Sequence, residues 1–466
     1  MIKSFSIVSM LLAPLVLSQT FKVEVTRSEA ALPEKLLQQS KLNKEFEVAI
    51  NRFSTYRYTG KFYFGSKASD ADLILDTDSD WMLVESQQCD ACLPTHRRYN
   101  PLTSTTQTPG SNETFILYLD DNFYVGDDYY DTVCVADSSK YCAKDFKFIA
   151  VTDINKVTSE LAKIDGVVGL GPDDPSNGPS FIAELYNQGV IGKKMFGIQV
   201  GFNQKSEMMF GGWDDTWMKT RGENIYFYPQ SNQSRWEIEL RDLKMKNTSF
   251  WEGSKKAVID SFNDSITFPD AEFQVFKTYI ESIDHTIDCD NTKGTCRFND
   301  DCTTKYTKLP QLRIQFGDMN TFAINPKDYL FGQVDGGNRA FCTFLIKKNN
   351  KDYVQIGQPF LKNFYAIFDF ESGSVGFFLH AYTNSEVNSD GVERVVTPQP
   401  PITDDSPSDD KFPIWAIILI VVVLIGGLLA LGAVAFIKIR NKRLQQNLSQ
   451  YNQLEGTKGK AGKTLQ

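Results

Sequence analysis

Two segments of this chain share one pattern, an apolar strand that ends in an acid followed by a hydroxyl. They are Leu73-Ile74-Leu75-Asp76-Thr77 and Ala257-Val258-Ile259-Asp260-Ser261, one in each half of the 466 residues. A carboxylate at the end of a buried strand loses its hydration, and that cost must be met by hydrogen bonds or a partner charge. Stability alone gives no reason to place two of them. A pair of such units, one per half, is what a carboxylate dyad between two lobes requires. The length suits two or three domains.

From about Ser54 to Ala381 the texture is that of an all-β chain. Short runs of Val, Ile, Phe, Tyr and Thr alternate with polar residues and are cut by Gly, Asn and Asp, as in RYTGKFYFG, ADLILDTDSD, ETFILYLDDNFYVG, RWEIELRDLKMK and YVQIGQPF. Helical patterns are few and short; PSFIAELYNQG is one and FPDAEFQVFKTYIESI another, with apolar spacing near 3.6. Many strands with few helices imply sandwiches or barrels rather than βαβ units.

The two ends carry targeting signals. Residues 1–18 pair Lys3 with a short apolar run and the small residue Ser18, the pattern of a secretory signal peptide. Residues 19–52, with a helical-looking LPEKLLQQSKLNKEFEVAINRF, form either a short pro-segment or the first element of the domain. Residues 53–225 and 226–381 are the expected lobes. An acidic Pro/Ser stalk follows at 382–412, then an uncharged span at 413–437, and a cytosolic tail at 438–466. The run Ile414 to Ile437 is about 36 Å long as a helix, enough to cross a bilayer with some tilt. Trp415 stands at one end and Lys438, Arg440, Lys442 and Arg443 at the other, so the expected topology is single-pass with the C-terminus inside. Tyr451-x-x-Leu454 in the tail has the form of an endocytic signal. The expected location is the secretory pathway, with the folded part lumenal or extracellular.

The cysteines fall into two groups of four, Cys89, Cys92, Cys134 and Cys142, then Cys289, Cys296, Cys302 and Cys342. Even numbers in each half point to disulfides that do not cross between halves, in an oxidising compartment. The histidines are His96, His285 and His380, and no second CxxC pair accompanies Cys89-x-x-Cys92, so no metal is expected. Asp288-x-Asp290-x-Thr292 lacks the glycine and the final glutamate of a calcium loop. Asp76-x-Asp78 as a glycosyltransferase motif would need an α/β fold, and no G-x-S-x-G elbow occurs. Asn112, Asn232, Asn247 and Asn263 open possible glycosylation sites. A net charge of -9 gives no reason to expect nucleic acid.

Taken with its flanking landmarks, the duplicated motif resembles the active site of the pepsin-like aspartic peptidases. Asp76-Thr77-x-Ser79 is similar to the first active-site motif and Asp260-Ser261 to the second. Ile164-Asp165-Gly166-Val167-Val168-Gly169-Leu170-Gly171, Phe210-Gly211-Gly212-Trp213, Trp236-Glu237-Ile238, Ile356-Gly357-x-Pro359-Phe360-Leu361 and Val375-Gly376-Phe377 resemble further landmarks, in the family's order, over about 54–381. The resemblance implies a bilobal acid-protease fold with a central cleft, no cofactor, a monomer, and an extended peptide or unfolded protein as the partner. It implies Asp76 and Asp260 as catalytic, Thr77, Ser79 and Ser261 as their supports, and Tyr118 as the flap tyrosine. Cys302 with Cys342 suits the usual second-lobe disulfide, and the remaining pairs are expected as Cys89–Cys92, Cys134–Cys142 and Cys289–Cys296.

Both motifs depart from the family at their third residue. Asp78 and Phe262 stand where the family has glycine, which allows close backbone approach. Asp78 brings a third carboxylate near the dyad, which raises the pKa of its neighbours. Phe262 either blocks the peptide path or turns away. The glycine-rich flap turn is replaced by Leu119-Asp120-Asp121-Asn122, and Gln358 replaces an acid. Two functions are therefore expected as alternatives: a membrane-anchored endopeptidase working at acidic pH, or a peptide-binding module that has lost turnover.

Overall fold

The computed structural model describes residues 21–28 and 57–389, apart from 120–121, 137, 156–163, 175–177, 202–205, 252–253, 319 and 338. The expected signal peptide, stalk, membrane span and tail lie outside the described residues, as do the helical-looking residues 32–53 and the flap-turn residues Asp120 and Asp121. Among the described residues no helix is long and apolar enough to cross a membrane.

The architecture is mostly β and two-lobed. Among the described residues, a sheet of 13 strands and one of 12 hold almost all the regular structure. Alternation builds them. In the strand Leu312–Phe316, Leu312, Ile314 and Phe316 are buried while Arg313 and Gln315 are half-buried, so one face turns inward. The two helical patterns in the sequence are helices at Phe181–Asn187 and Asp270–Ile283. The first is capped by Ser180, whose side chain accepts from Ala183 N–H. All four disulfides form as Cys89–Cys92, Cys134–Cys142, Cys289–Cys296 and Cys302–Cys342.

The first sheet crosses the boundary expected near residue 225. Met195–Gln199 and Ser206–Phe210 are joined by Tyr226–Pro229, Phe364–Asp369 and Ser374–Leu379 from the second half. It also takes in Phe21–Ser28, which pairs antiparallel with Ser206–Phe210 on one side and Arg57–Phe64 on the other. Residues ahead of 53 thus belong to the sheet. At the other end the second sheet runs past 381, because Glu386–Ser389 pairs with Asn320–Ile324. The core is rich in rings, with Phe62, Phe64, Phe148 and Phe181 in the first half and Phe316, Phe322, Phe360 and Phe377 in the second. Each fully buried ring contributes about 2 kcal/mol relative to exposure.

One local device occurs twice and positions the site. Ser69–Asp76 runs parallel to Gly166–Gly169, with Asp76 opposite Gly169. Lys255–Ile259 runs parallel to Val354–Ile356, with Ile259 opposite Ile356. In each case the loop after the aspartate is pressed against a glycine of the other segment. A Cβ on Gly169 would lie 2.3 Å from the Asp80 carbonyl carbon, and one on Gly357 would lie 2.2 Å from the Asn263 carbonyl oxygen. No other residue fits at either position.

Candidate active site

The two aspartate loops meet at the floor of a cavity of about 640 Å³ that Asp76, Asp78, Ser79, Tyr118, Asp260 and Phe262 help to line. They are locked by reciprocal hydrogen bonds. Thr77 N–H donates to Ser261 Oγ at 3.1 Å, and Ser261 N–H donates to Thr77 Oγ1 at 2.9 Å. The two hydroxyls then donate across to strand carbonyls, Thr77 Oγ1 to Ile259 O and Ser261 Oγ to Leu75 O, both at 2.7 Å. Thr77 and Ser261 are buried, so these four bonds satisfy groups that water cannot reach.

Each loop also turns its own N–H groups on its aspartate. Asp78 N–H donates to Asp76 Oδ1 at 2.9 Å. Phe262 and Asn263 N–H donate to Asp260 Oδ1 at 2.9 and 3.1 Å. Both aspartates are only 3% exposed. Burial pushes Asp260 well above the ordinary aspartate range, and the neighbouring charges of Asp78 and Asp76 add to that shift.

The replaced glycines do not distort the loops. Among the described residues, the non-glycine positions with positive φ are Ala68, Ala136, Asp145 and Lys246, so neither Asp78 nor Phe262 occupies a backbone region reserved for glycine. Asp78 leaves the first lobe and meets cations of the second. Lys351 Nζ lies 3.5 Å from Asp78 Oδ2 and Arg235 Nε 4.0 Å from Oδ1. Both cations also lie over the Tyr353 ring, at 5.1 Å for Arg235 and 5.2 Å for Lys351. Burial raises the Asp78 carboxyl, and Lys351 and Arg235 oppose that shift. Phe262 does the converse. It packs, half-buried, against the first-lobe cluster around Ile74, Leu83, Tyr124 and Val167, which Trp81, Phe115 and Leu117 also cover.

The residues singled out in the sequence sort as follows. Asp76, Asp260, Thr77 and Ser261 come together as expected. Ser79 lines the cavity; its hydroxyl has no hydrogen-bond partner among the described residues, and its carbonyl accepts Gly171 N–H at 2.9 Å. Tyr118 stands on the hairpin of Thr108–Leu119 and Asn122–Val135, 77% exposed and edge-on to Phe123. Of the sequon asparagines, Asn247 is exposed and Asn232 half-buried, while the Asn263 amide oxygen accepts Ser265 N–H at 3.0 Å and Ser265 is buried. A glycan on Asn263 would have to break that turn.

Sequence reasoning missed Arg235, Lys351, Tyr353 and Gln355. Gln355 had a signal, an amide inside the otherwise apolar Val354–Ile356. It donates to Asp260 Oδ2 at 2.8 Å and lies 3.5 Å from Asp78 Oδ2. Arg235 and Lys351 had none, because nothing in their neighbourhoods marks a surface cation as facing a cleft.

Comparison with known proteins agrees with this geometry. Residues 57–379 match the family described as eukaryotic aspartyl protease. The chain is similar to plasmepsin I of Plasmodium falciparum, 26% identical over 352 residues that cover 71% of each chain. It is also similar to cathepsin D of Dictyostelium discoideum, 25% identical over 80% of this chain and 97% of that one. The vacuolar aspartic protease of Candida albicans is 24% identical over 76% of this chain and 81% of its own. The chain belongs to the pepsin-like aspartyl protease family.

Proposed function

We propose that this protein is an aspartic endopeptidase that hydrolyses extended peptides at acidic pH through a water held between Asp76 and Asp260. The observation that carries the reading is the reciprocal Thr77–Ser261 lock, which joins loops 184 residues apart and leaves both carboxyls facing one cavity. Two carboxyls buried at one cavity do not both ionise readily, so such a pair holds one proton in acid; aspartic proteases are the standard instance of this behaviour. One carboxyl then removes a proton from water while the other polarises the scissile carbonyl. The raised Asp260 supports an acidic working range.

Asp78 and Phe262 are compatible with turnover in this reading, because each side chain is engaged by the opposite lobe and neither takes a backbone conformation reserved for glycine. The cavity still extends past the dyad to Arg235, Asn350, Lys351, Asp352 and Tyr353. The uncharged run Ile414 to Ile437, followed by basic residues, supports a membrane anchor for the peptidase, and the four disulfides support folding in an oxidising compartment.

The test uses the full chain in detergent, assayed on a mixed peptide library from acidic to neutral pH beside Asp76→Asn and Asp260→Asn. Acidic cleavage that either substitution abolishes is the expected result. Folded wild-type protein that binds peptides without cleaving them would overturn the reading and leave a peptide-binding module.

A further inference from the structure

Arg235 brings a guanidinium with unused donors to the wall of the cleft. The next residue, Trp236, is fully buried, and its indole N–H donates to the Leu170 carbonyl at 2.7 Å. With Trp236 turned into the core, Arg235 turns outward and lines the cavity that holds Asp76 and Asp260. Its own carbonyl accepts Gln230 Nε2–H at 2.8 Å and Glu237 N–H at 2.7 Å, which fixes the backbone there. The guanidinium carbon lies 5.1 Å from the centre of the Tyr353 ring. The head group is thus placed before a ligand arrives, and less freedom is lost on binding.

A guanidinium carries five N–H donors in a planar fork. Among the described residues the Arg235 side chain makes no hydrogen bond, and its one ion pair is to Asp78, with Nε 4.0 Å from Oδ1. Asp78 has a closer cation in Lys351, 3.5 Å from Oδ2. Burial raises the Asp78 carboxyl, and Lys351 opposes that shift more than Arg235 does. Lys351 therefore answers most of the Asp78 charge, and the Arg235 fork stays open. The other charged or titratable groups that line the cavity are Asp76, Asp260, Asp352 and Tyr353. Of these, Asp352 is exposed, where water and salt screen its charge.

We propose that Arg235 makes the cleft select peptides with an aspartate or glutamate at one position close to the scissile bond. The inference deepens the peptidase reading and rests on it. A carboxylate accepts two parallel N–H bonds from a guanidinium, a match that a neutral amide cannot make. Arg235 and the dyad share one cavity, so a short stretch of peptide can meet both.

The test uses the full chain in detergent at about pH 5, above the ordinary glutamate pKa of about 4.3. Fluorescent peptides of one cleavable sequence carry Glu, Gln or Lys at each position in turn around the cleaved bond. At one position kcat/KM for Glu should exceed that for Gln by about tenfold, the lower end for a hydrogen bond to a charged group, because Arg235 is partly exposed. The ratio should shrink as salt is added. Arg235→Gln, checked for folding by thermal unfolding, should bring the two peptides level, whereas mere loosening of the cleft would slow both and keep their ratio. Arg235→Lys keeps the charge, loses the fork and should lower the ratio; it decides the matter if Arg235→Gln does not fold. If wild type cleaves nothing, the peptidase reading falls, and fluorescence anisotropy of the same peptides still decides whether Glu is selected. Wild type indifferent to Glu and Gln at every position, or a preference that folded Arg235→Gln retains, would overturn the proposal. So would a preference for Lys, which would assign the wall to Asp352.

Discussion

In the first aspartate loop the residue after Thr77 is a carboxylate that reaches cations of the second lobe. In the second loop the residue after Ser261 is a ring that packs on the first lobe. The loops share their backbone hydrogen bonds, and the two third residues differ in every chemical respect. Yet each meets the lobe it does not belong to: Asp78 forms ion pairs with Lys351 and Arg235, and Phe262 packs on the cluster that Trp81 and Leu117 cover. The difference teaches that glycine at these positions is dispensable to the lock, provided the added side chain leaves the dyad and finds a partner across the cleft.

The comparison breaks most sharply at what the loops share. Thr77→Val leaves Ser261 N–H and the Ile259 carbonyl without partners in a dry site, and Ser261→Ala does the same to Thr77 N–H and the Leu75 carbonyl. Each should cost about 3 kcal/mol, two unsatisfied buried groups, read by denaturant unfolding. Equal losses would show that the lock is symmetric; a loss confined to one would show that a single lobe carries it.

Phe262→Gly separates stability from access. Losing a half-buried ring and gaining backbone freedom should cost about 2 kcal/mol. The same change widens the cleft, so KM for peptides with bulky side chains should fall. A fall in stability with no change in KM would show that the ring lies outside the peptide path.

The polar departure should respond more weakly, because Lys351 and Arg235 are partly exposed. Lys351→Met should cost roughly 1 kcal/mol, and adding Asp78→Gly should restore most of it. A double variant no more stable than Lys351→Met alone would show that the cation does not serve Asp78.

A further effect is a pH dependence. Asp260 has a folded pKa above the ordinary 3.8, so its contribution to stability is fully present below that value and is lost as pH rises through the folded pKa. Asp260→Asn removes the charge that causes the loss. The midpoint of thermal unfolding of the variant should therefore gain on wild type as pH rises from acid to neutral. A constant difference across that range would contradict the raised pKa.

Much of the fold and of the site is legible in the residues themselves. The strand texture, the two helices at Phe181–Asn187 and Asp270–Ile283 and the two aspartates with their hydroxyl neighbours follow from local patterns, while the Cys302–Cys342 pairing is what the family resemblance implies. These succeed because strand alternation and a buried Asp-Thr or Asp-Ser are local constraints. Motif position makes Ser79 an expected support of the dyad, and its hydroxyl has no hydrogen-bond partner among the described residues. The lobe limits expected from residue texture are too narrow, because Phe21–Ser28 and Glu386–Ser389 are held by strands far away in the chain. Pairing with a distant strand leaves no mark on the segment that will join the sheet.

The sequence by itself determined the duplicated carboxylate units, the β architecture and the family, since each follows from residue type and spacing within short segments. The tertiary structure alone decided what becomes of the departures. Whether Asp78 stands as an uncompensated charge depends on Lys351, Arg235 and Gln355, and whether Phe262 faces peptide or core depends on a cluster in the other half. Those partners are brought near only when the two loops lock, because hydrogen bonds and ion pairs act over a few ångströms in space and take no account of separation along the chain.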